Sequence, residues 1–173
     1  LTNTCRCGTS SRRALSTTGL ATVNSGATLI ASGGAISSTV PMTVAGTLRT
    51  GAGTVTAPSI NITPSGLLTG TGSVTANLNN NGSVAPGNSP GTLTINGNYF
   101  QGAGGVLNVE LGGTTPGTGF DQLVVTNVAT LAGTVELKLT DGFYPARDAA
   151  FQFLTARACS NAFDQFLYPS NDV

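Results

Sequence analysis

The sequence predicts an all-β fold, a solenoid of parallel strands wound in coils of about 19–20 residues. Three observations carry this. Apolar residues alternate with period two in short runs, at Ala27-Thr28-Leu29, Val40 to Val44, Ile60 to Ile62 and Thr92 to Ile95, and helical spacing is nowhere sustained. Glycine-led steps recur at a fixed interval. Gly34-Ala35-Ile36, Gly53-Thr54-Val55, Gly72-Ser73-Val74 and Gly91-Thr92-Leu93 follow one another every 19 residues, and Gly26, Gly46 and Gly66 every 20. Charge is nearly absent from the middle, where Arg49 stands alone between Ala14 and Val109.

The three observations share a physical cause. One coil cannot bury its inward aliphatics alone, but coils stacked about 4.8 Å apart bury them in a continuous column. The spacing predicts one column of Ile36, Val55, Val74 and Leu93, and a second containing Leu29, Leu48 and Leu68. Like charges repeated along such a stack repel by roughly 0.9 kcal/mol even in water. Stacked Asn or Thr instead hydrogen-bond along the column.

Composition excludes several functions. The 173 residues hold seven basic and seven acidic groups, so the formal net charge is zero, which does not suit a nucleic-acid binder. Lys138 is the single lysine, and there is no histidine to act as base or metal ligand. No cofactor and no metal set are expected. No apolar run is long enough for a membrane-spanning helix, and the first residues lack the apolar core of a signal peptide, so an exported protein would be numbered from its processed chain. Cys5 and Cys7 stand near one end and Cys159 near the other. An odd count in a secreted chain points to an intermolecular disulfide or a free thiol, and a buried or incidental Cys159 thiol is the alternative.

Along the chain, residues 1–25 read as a polar, Arg-containing arm, extended or engaged in subunit contacts, and residues 26–173 as the solenoid. Asn77, Asn79, Asn80 and Asn81 are expected in turns. Pro86-Gly87 and Pro90-Gly91 predict tight turns with Pro at the second position and Gly at the third. Gly102-Ala103-Gly104-Gly105 is a further turn. Residues 106–173 gather the carboxylates and most of the aromatics, as expected of wider coils and a cap closing the column against water. Phe163-Asp164-Gln165-Phe166 echoes Phe120-Asp121-Gln122-Leu123, as if one corner were used twice.

From Gly72 the order of segments is specific. Gly72-Ser73-Val74-Thr75-Ala76-Asn77-Leu78 leads to a turn motif containing Asn81, Gly82, Pro86, Gly87, Asn88, Pro90 and Gly91, then Thr92-Leu93-Thr94-Ile95 and Gly97-Asn98-Tyr99-Phe100-Gln101. Gly105 to Leu111, Phe120 to Val125 and Ala129 to Val135 follow. Over about residues 66–166 this resembles the C-terminal β-helix region of bacterial autotransporter passenger domains. The resemblance implies a right-handed parallel β-helix, exported to the extracellular space or outer surface of a Gram-negative bacterium, whose C-terminal coils help nucleate folding. The outer-membrane barrel of that family is not in this sequence, which therefore reads as a processed fragment, a truncated relative or a free-standing secreted solenoid.

An enzyme is not expected. The central coils offer no acid or base, and Glu110, Asp121, Glu136 and Asp141 are confined to the C-terminal third. Glu136 and Lys138 are expected to form an exposed ion pair, and Asp121 to cap backbone N–H groups at a turn. The preferred role is structural, a stalk, surface-layer or fibre subunit stacking head to tail with itself, with Cys5 or Cys7 of one copy bridging Cys159 of the next. The alternative is an adhesin passenger fragment binding glycans or a host surface. Its candidate face is the outward hydroxyl row of Thr54, Thr56, Ser73, Thr75, Thr92 and Thr94. Against this stands the ordinary preference of Thr for strands.

Overall fold

The computed structural model describes residues 15–17 and 21–168, and among them there are strands and turns but no helix. The N-terminal arm, with Cys5 and Cys7, therefore lies largely outside the described residues. The strands fall into successive tiers. The first supplies β1 (Leu15–Thr17), β2 (Ala21–Val23) and β3 (Thr28–Ile30), and the next β4 (Ala35–Ser38), β5 (Met42–Val44) and β6 (Thr47–Arg49). Then come β7 (Thr54–Ile62) with β8 (Leu67–Gly70), and β9 (Ser73–Asn80) with β10 (Ser83–Pro86). β11 (Thr92–Ile95), β12 (Tyr99–Gln101) and β13 (Val106–Leu111) form one tier, and β14 (Gln122–Thr130) and β15 (Thr134–Leu139) another. β16 (Leu154–Ser160) and β17 (Gln165–Leu167) come last.

Every pairing between these strands is parallel and joins one tier to the next, the arrangement of a parallel β-solenoid. One sheet of seven strands runs β3-β6-β8-β10-β13-β15-β17. The other, of ten strands, carries two adjoining rows: β4 and β5 both pair with β7, and β11 and β12 both pair with β9 and with β14. The long strands β7, β9 and β14 thus span two sides of the cross-section. In β7 and β14 the bend is taken up by an extra residue, between Thr56 and Ser59 and between Val125 and Val128 respectively. Pro58 sits in the first bulge, where its missing N–H costs no ladder bond.

The core is the stack of inward positions. Leu29, Leu48 and Leu68 share one column, as expected, and it continues through Val84, Leu107 and Val135 to Phe166. From Leu48 to Val135 these side chains are fully buried, each worth about 1.5–3 kcal/mol relative to exposure. The other expected column needs correction: Ile36, Val55 and Val74 are followed by Ile95, not Leu93. The connection from Pro86 to Thr94 is five residues longer than its counterpart from Gly70 to Ser73, which outweighs three residues saved earlier in the tier and leaves the chain two residues late. A shift of two preserves inward parity, so Leu93 stays buried and stacks on Leu123 instead.

Two of the 19-residue glycines, Gly53 and Gly72, owe their place to tight tier-to-tier approach. A Cβ on Gly53 or Gly72 would overlap a carbonyl oxygen of the tier below, Ala31 O and Gly53 O respectively. The period itself does not persist. Stacked partners are 18 to 21 residues apart in the early tiers and 28 to 31 in the last ones. The additional length is the Gly112–Gly119 excursion, closed by a Leu111–Phe120 bridge, and residues 140–153.

Two further expectations are corrected. Asn77, Asn79 and Asn80 lie inside β9, and only Asn81 is in the turn. Stacked side-chain amides hydrogen-bond across tiers, which offsets the poor strand propensity of Asn. Pro86 is the last residue of β10 and Gly87 takes the left-handed φ of 95°, but Gly91 does not share it, and the Ser89–Pro90 peptide is cis. The turn at Gly102–Gly105 is found as expected.

Candidate binding faces

The hydroxyl face is shorter and more broken than the 19-residue spacing implies. Ala35, Thr54 and Ser73 are followed in register by Thr94, and Ser37 and Thr56 by Thr75. Thr92 lies one position outside this array, beside Gln122, because of the same two-residue delay. Thr54, Thr56 and Thr75 are exposed, whereas Ser73, Thr92 and Thr94 are half-buried. The next position after Thr75 is taken over by Asn96, whose Nδ2 donates to Thr75 Oγ1 at 3.4 Å.

A second, amide-rich array occupies the adjoining row of the same sheet. Thr43, Asn61, Asn79, Phe100, Thr130 and Ser160 stack in one line. Asn79 Nδ2 donates to Asn61 Oδ1 at 2.7 Å, and the Thr130 and Ser160 hydroxyls are 3.0 Å apart. Alongside, Asn77 Oδ1 accepts from both the backbone N–H and Nδ2 of Asn98 at 3.1 Å, and Asn98 Oδ1 accepts from Val128 N at 3.2 Å. Phe100 interrupts the polar line and is 45% exposed, with Val128 diagonal to it at 40%. The alternation Asn77-x-Asn79 and Asn98-x-Phe100 signalled this array in the sequence, but assigning the asparagines to turns concealed it.

The turn motif builds a different feature. Residues Gly87 to Ser89 project beside the outer surface of the seven-stranded sheet and wall a groove of about 490 Å³, floored by Thr69, Ala85, Asn108 and Glu136. Arg49 reaches across to the Asn88 side-chain oxygen, and Ser89 Oγ donates to Glu110 Oε2 at 2.5 Å. Lys138 Nζ lies 3.8 Å from Glu110 Oε1, so its ion pair runs across the ladder to Glu110 and not along the strand to Glu136. Neighbouring strands put Glu110 and Lys138 in direct register, while Glu136 is level with Asn108.

Asp121 anchors that loop. Its Oδ1 accepts from Gly91 N at 2.8 Å and its Oδ2 from Glu110 N at 2.9 Å, the capping role expected of it. It is 2% exposed. Burial pushes its carboxyl up to about 6, against the two backbone hydrogen bonds, which lower it, and with a smaller push from the Glu110 charge. Asp164 repeats the device, accepting from Gly133 N at 2.5 Å. The two Phe-Asp steps nevertheless serve different corners, since one leads into β14 of the larger sheet and the other into β17 of the smaller. They are one local solution used at two places.

One polar cluster is sealed inside. Asn80, Tyr99 and Gln101 are buried, and Gln101 Nε2 faces the carbonyls of Gly105, Ala132 and Thr134 at 3.1, 3.0 and 3.0 Å. Tyr99 Oη donates to Gln101 Oε1 at 2.5 Å, and Asn80 Nδ2 donates to Tyr99 Oη at 3.2 Å. Burial holds the Tyr99 phenol well above its ordinary range. No group here faces solvent, so the cluster ties tiers together and takes no part in binding.

Among the described residues the column lies open at the far end. A hollow of about 350 Å³ is lined by Phe151, Phe153, Leu154, Phe163 and Phe166. Cys159 stands in β16 in register with Ala129, in the column that carries Ile60, Leu78 and Tyr99, yet it is exposed, because no further tier lies over it among the described residues. Of the alternatives open for Cys159, only the buried thiol is corrected. Among the described residues no three His, Cys, Asp or Glu side chains gather in a metal-binding group. Comparison of the chain with protein-family models, with curated proteins and with solved structures found no match.

Proposed function

We propose that this chain is an extracellular structural β-solenoid, wound right-handed, that assembles end to end. Uninterrupted parallel pairing from tier to tier carries the reading. Such a stack is a stiff rod with few ionisable groups along its middle, and it ends in strand edges able to template another chain. Right-handedness follows from the strong bias of parallel crossovers. The aromatic pairs Phe120–Phe151, Phe143–Phe151 and Phe163–Phe166, with ring centroids 5.4, 6.1 and 5.9 Å apart, support a partial cap at the wide end. The resemblance of residues 66–166 to autotransporter passenger domains supports export to the surface of a Gram-negative bacterium.

Head-to-tail stacking is the proposed assembly, through β16 and β17, whose outer edges are unpaired among the described residues. The last tiers carry 28–31 residues against 18–21 in the first, the surplus lying in the excursions at 112–119 and 140–153, so a joint with the narrow end leaves those excursions uncovered. Electron microscopy of the purified chain tests this. Filaments or end-joined rods are expected, and uniformly dispersed single particles at high concentration would refute self-assembly. Non-reducing electrophoresis tests the covalent link. Cys159→Ser should abolish any ladder, and a monomer band alone from unreduced wild type rules the disulfide out.

A second reading, an adhesive passenger fragment, is favoured by one observation: an exposed aromatic ring set among fixed asparagines on an otherwise polar sheet face.

A further inference from the structure

We infer that the outer face around Phe100 binds neutral oligosaccharides, with the ring as a stacking platform and the flanking asparagines as hydrogen-bonding rails. The inference rests on the adhesive reading and gives it a site and a ligand class. Phe100 stands out because its position in the stack otherwise carries Thr or Asn: Thr43, Asn61 and Asn79 precede it and Thr130 follows. A polar β-former would satisfy solubility there. The ring is 45% exposed and, with Val128 at 40%, makes a small apolar island within a polar surface. An aromatic face of this kind suits the C–H face of a pyranose, which is apolar on one side and ringed by hydroxyls at its edge.

The edge hydroxyls need donors and acceptors close to the ring, and these are present on two sides. Each side-chain amide has two N–H groups and an oxygen with two lone pairs. Asn79 uses one N–H on Asn61, and Asn98 uses one on Asn77 and its oxygen on Val128 N. The remaining N–H of each, both N–H groups of Asn61 and Asn77, and the Asn79 oxygen have capacity left for a ligand. Because the ladder bonds already fix these side chains, little rotamer entropy remains to be lost on binding. Successive tiers repeat at about 4.8 Å, close to the length of one sugar unit, so a chain lying along the stack meets Asn61, Asn79 and then the Phe100 ring at successive units.

Charge selects the class. The stacked positions Thr43, Asn61, Asn79, Phe100, Thr130 and Ser160 include no ionisable side chain, and neither do Asn77, Asn98 and Val128 beside them. At these positions an anionic glycan, a phosphate or a nucleic acid would find no cation to replace its water; the nearest charge among the described residues, Arg157, lies one tier beyond Val128, beside its register partner Ala158. A neutral sugar needs none.

The test is a titration of the full-length, ¹⁵N-labelled chain with cellohexaose, laminarihexaose and maltohexaose, followed through the asparagine side-chain amide resonances. At least one sugar should shift the Asn79 and Asn98 signals. Phe100→Thr, which keeps a good strand former at an outward position, should weaken that binding by about tenfold or more, and Phe100→Tyr should leave it within about threefold. No shift with any of the three at millimolar concentration overturns the inference, as does undiminished binding by Phe100→Thr. Broadening of the same signals with protein concentration alone, without sugar, would assign the face to a second copy and overturn it equally. Any of these results leaves the structural reading standing, because that reading is judged by particle shape and not by sugar binding.

Discussion

Replacing Gln101 by Leu probes the interior of the stack where it departs from an all-aliphatic column. The substitution conserves volume approximately but removes a side chain whose Nε2 faces three carbonyls and whose Oε1 accepts from Tyr99. Gly105 O keeps a backbone bond from Thr134 N at 2.9 Å. The Ala132 carbonyl loses its side-chain donor and the Tyr99 hydroxyl its acceptor. A buried polar group left unsatisfied costs ~1–3 kcal/mol. Leu returns some apolar burial, so the expected net loss is ~3 kcal/mol. Urea unfolding followed by far-UV circular dichroism and by tyrosine emission measures it, the latter undisturbed because the chain has no tryptophan. The double variant Tyr99→Phe/Gln101→Leu removes the orphaned hydroxyl as well and should regain ~1 kcal/mol. A loss below ~0.5 kcal/mol for Gln101→Leu, or a double variant no more stable than the single, would show that these groups find other partners and that the network does not hold the tiers together.

Asp121 gives a pH signature. Its folded pKa, about 6, lies above the ordinary 3.8, so the folded state binds the proton more tightly. Its stabilising contribution is complete below about pH 4 and lost as pH rises through about 6, a change of up to about 3 kcal/mol. Asp121→Asn should remove that slope from a series of urea midpoints, and an unchanged slope would assign it elsewhere. Gly72→Ala should destabilise by ~1–3 kcal/mol or more, because its Cβ meets the Gly53 carbonyl of the tier below. Gly26→Ala, with open space but a φ of 76°, should cost only ~1 kcal/mol; equal thermal shifts for the two would contradict the close-approach argument. Lys138→Ala should change stability by less than ~1 kcal/mol, since its pair with Glu110 is 3.8 Å long and Lys138 is largely exposed.

Much of the fold was legible because a parallel stack writes its geometry into the sequence as a period. Leu29, Leu48 and Leu68 could be placed in one column from spacing alone, and glycine at Gly53 and Gly72 marked where tiers approach most closely. Low charge in the middle followed from the repulsion that stacked like charges suffer. What spacing could not supply was the length of each excursion between strands. A loop of uncertain length leaves the following register undetermined, so Leu93 was paired with Val74 where Ile95 belongs, and Thr92 was placed on a face that Thr94 occupies. The Lys138 partner was missed for a related reason, because the choice between a neighbour on the same strand and one on the adjacent strand depends on register.

The candidate face was the least visible of all. Asparagine favours turns in isolation, and only lateral stacking turns Asn77, Asn79 and Asn98 into a hydrogen-bonded ladder within strands. Sequence by itself determined the fold class, the alternation of inside and outside and the early period, since all three are local or strictly repeating. Tertiary structure decided the widening of the later tiers, the loop held by Asp121, and the meeting of Phe100 with its amides. Those depend on which distant residues become neighbours, and one residue more or less in a loop changes every such pairing beyond it.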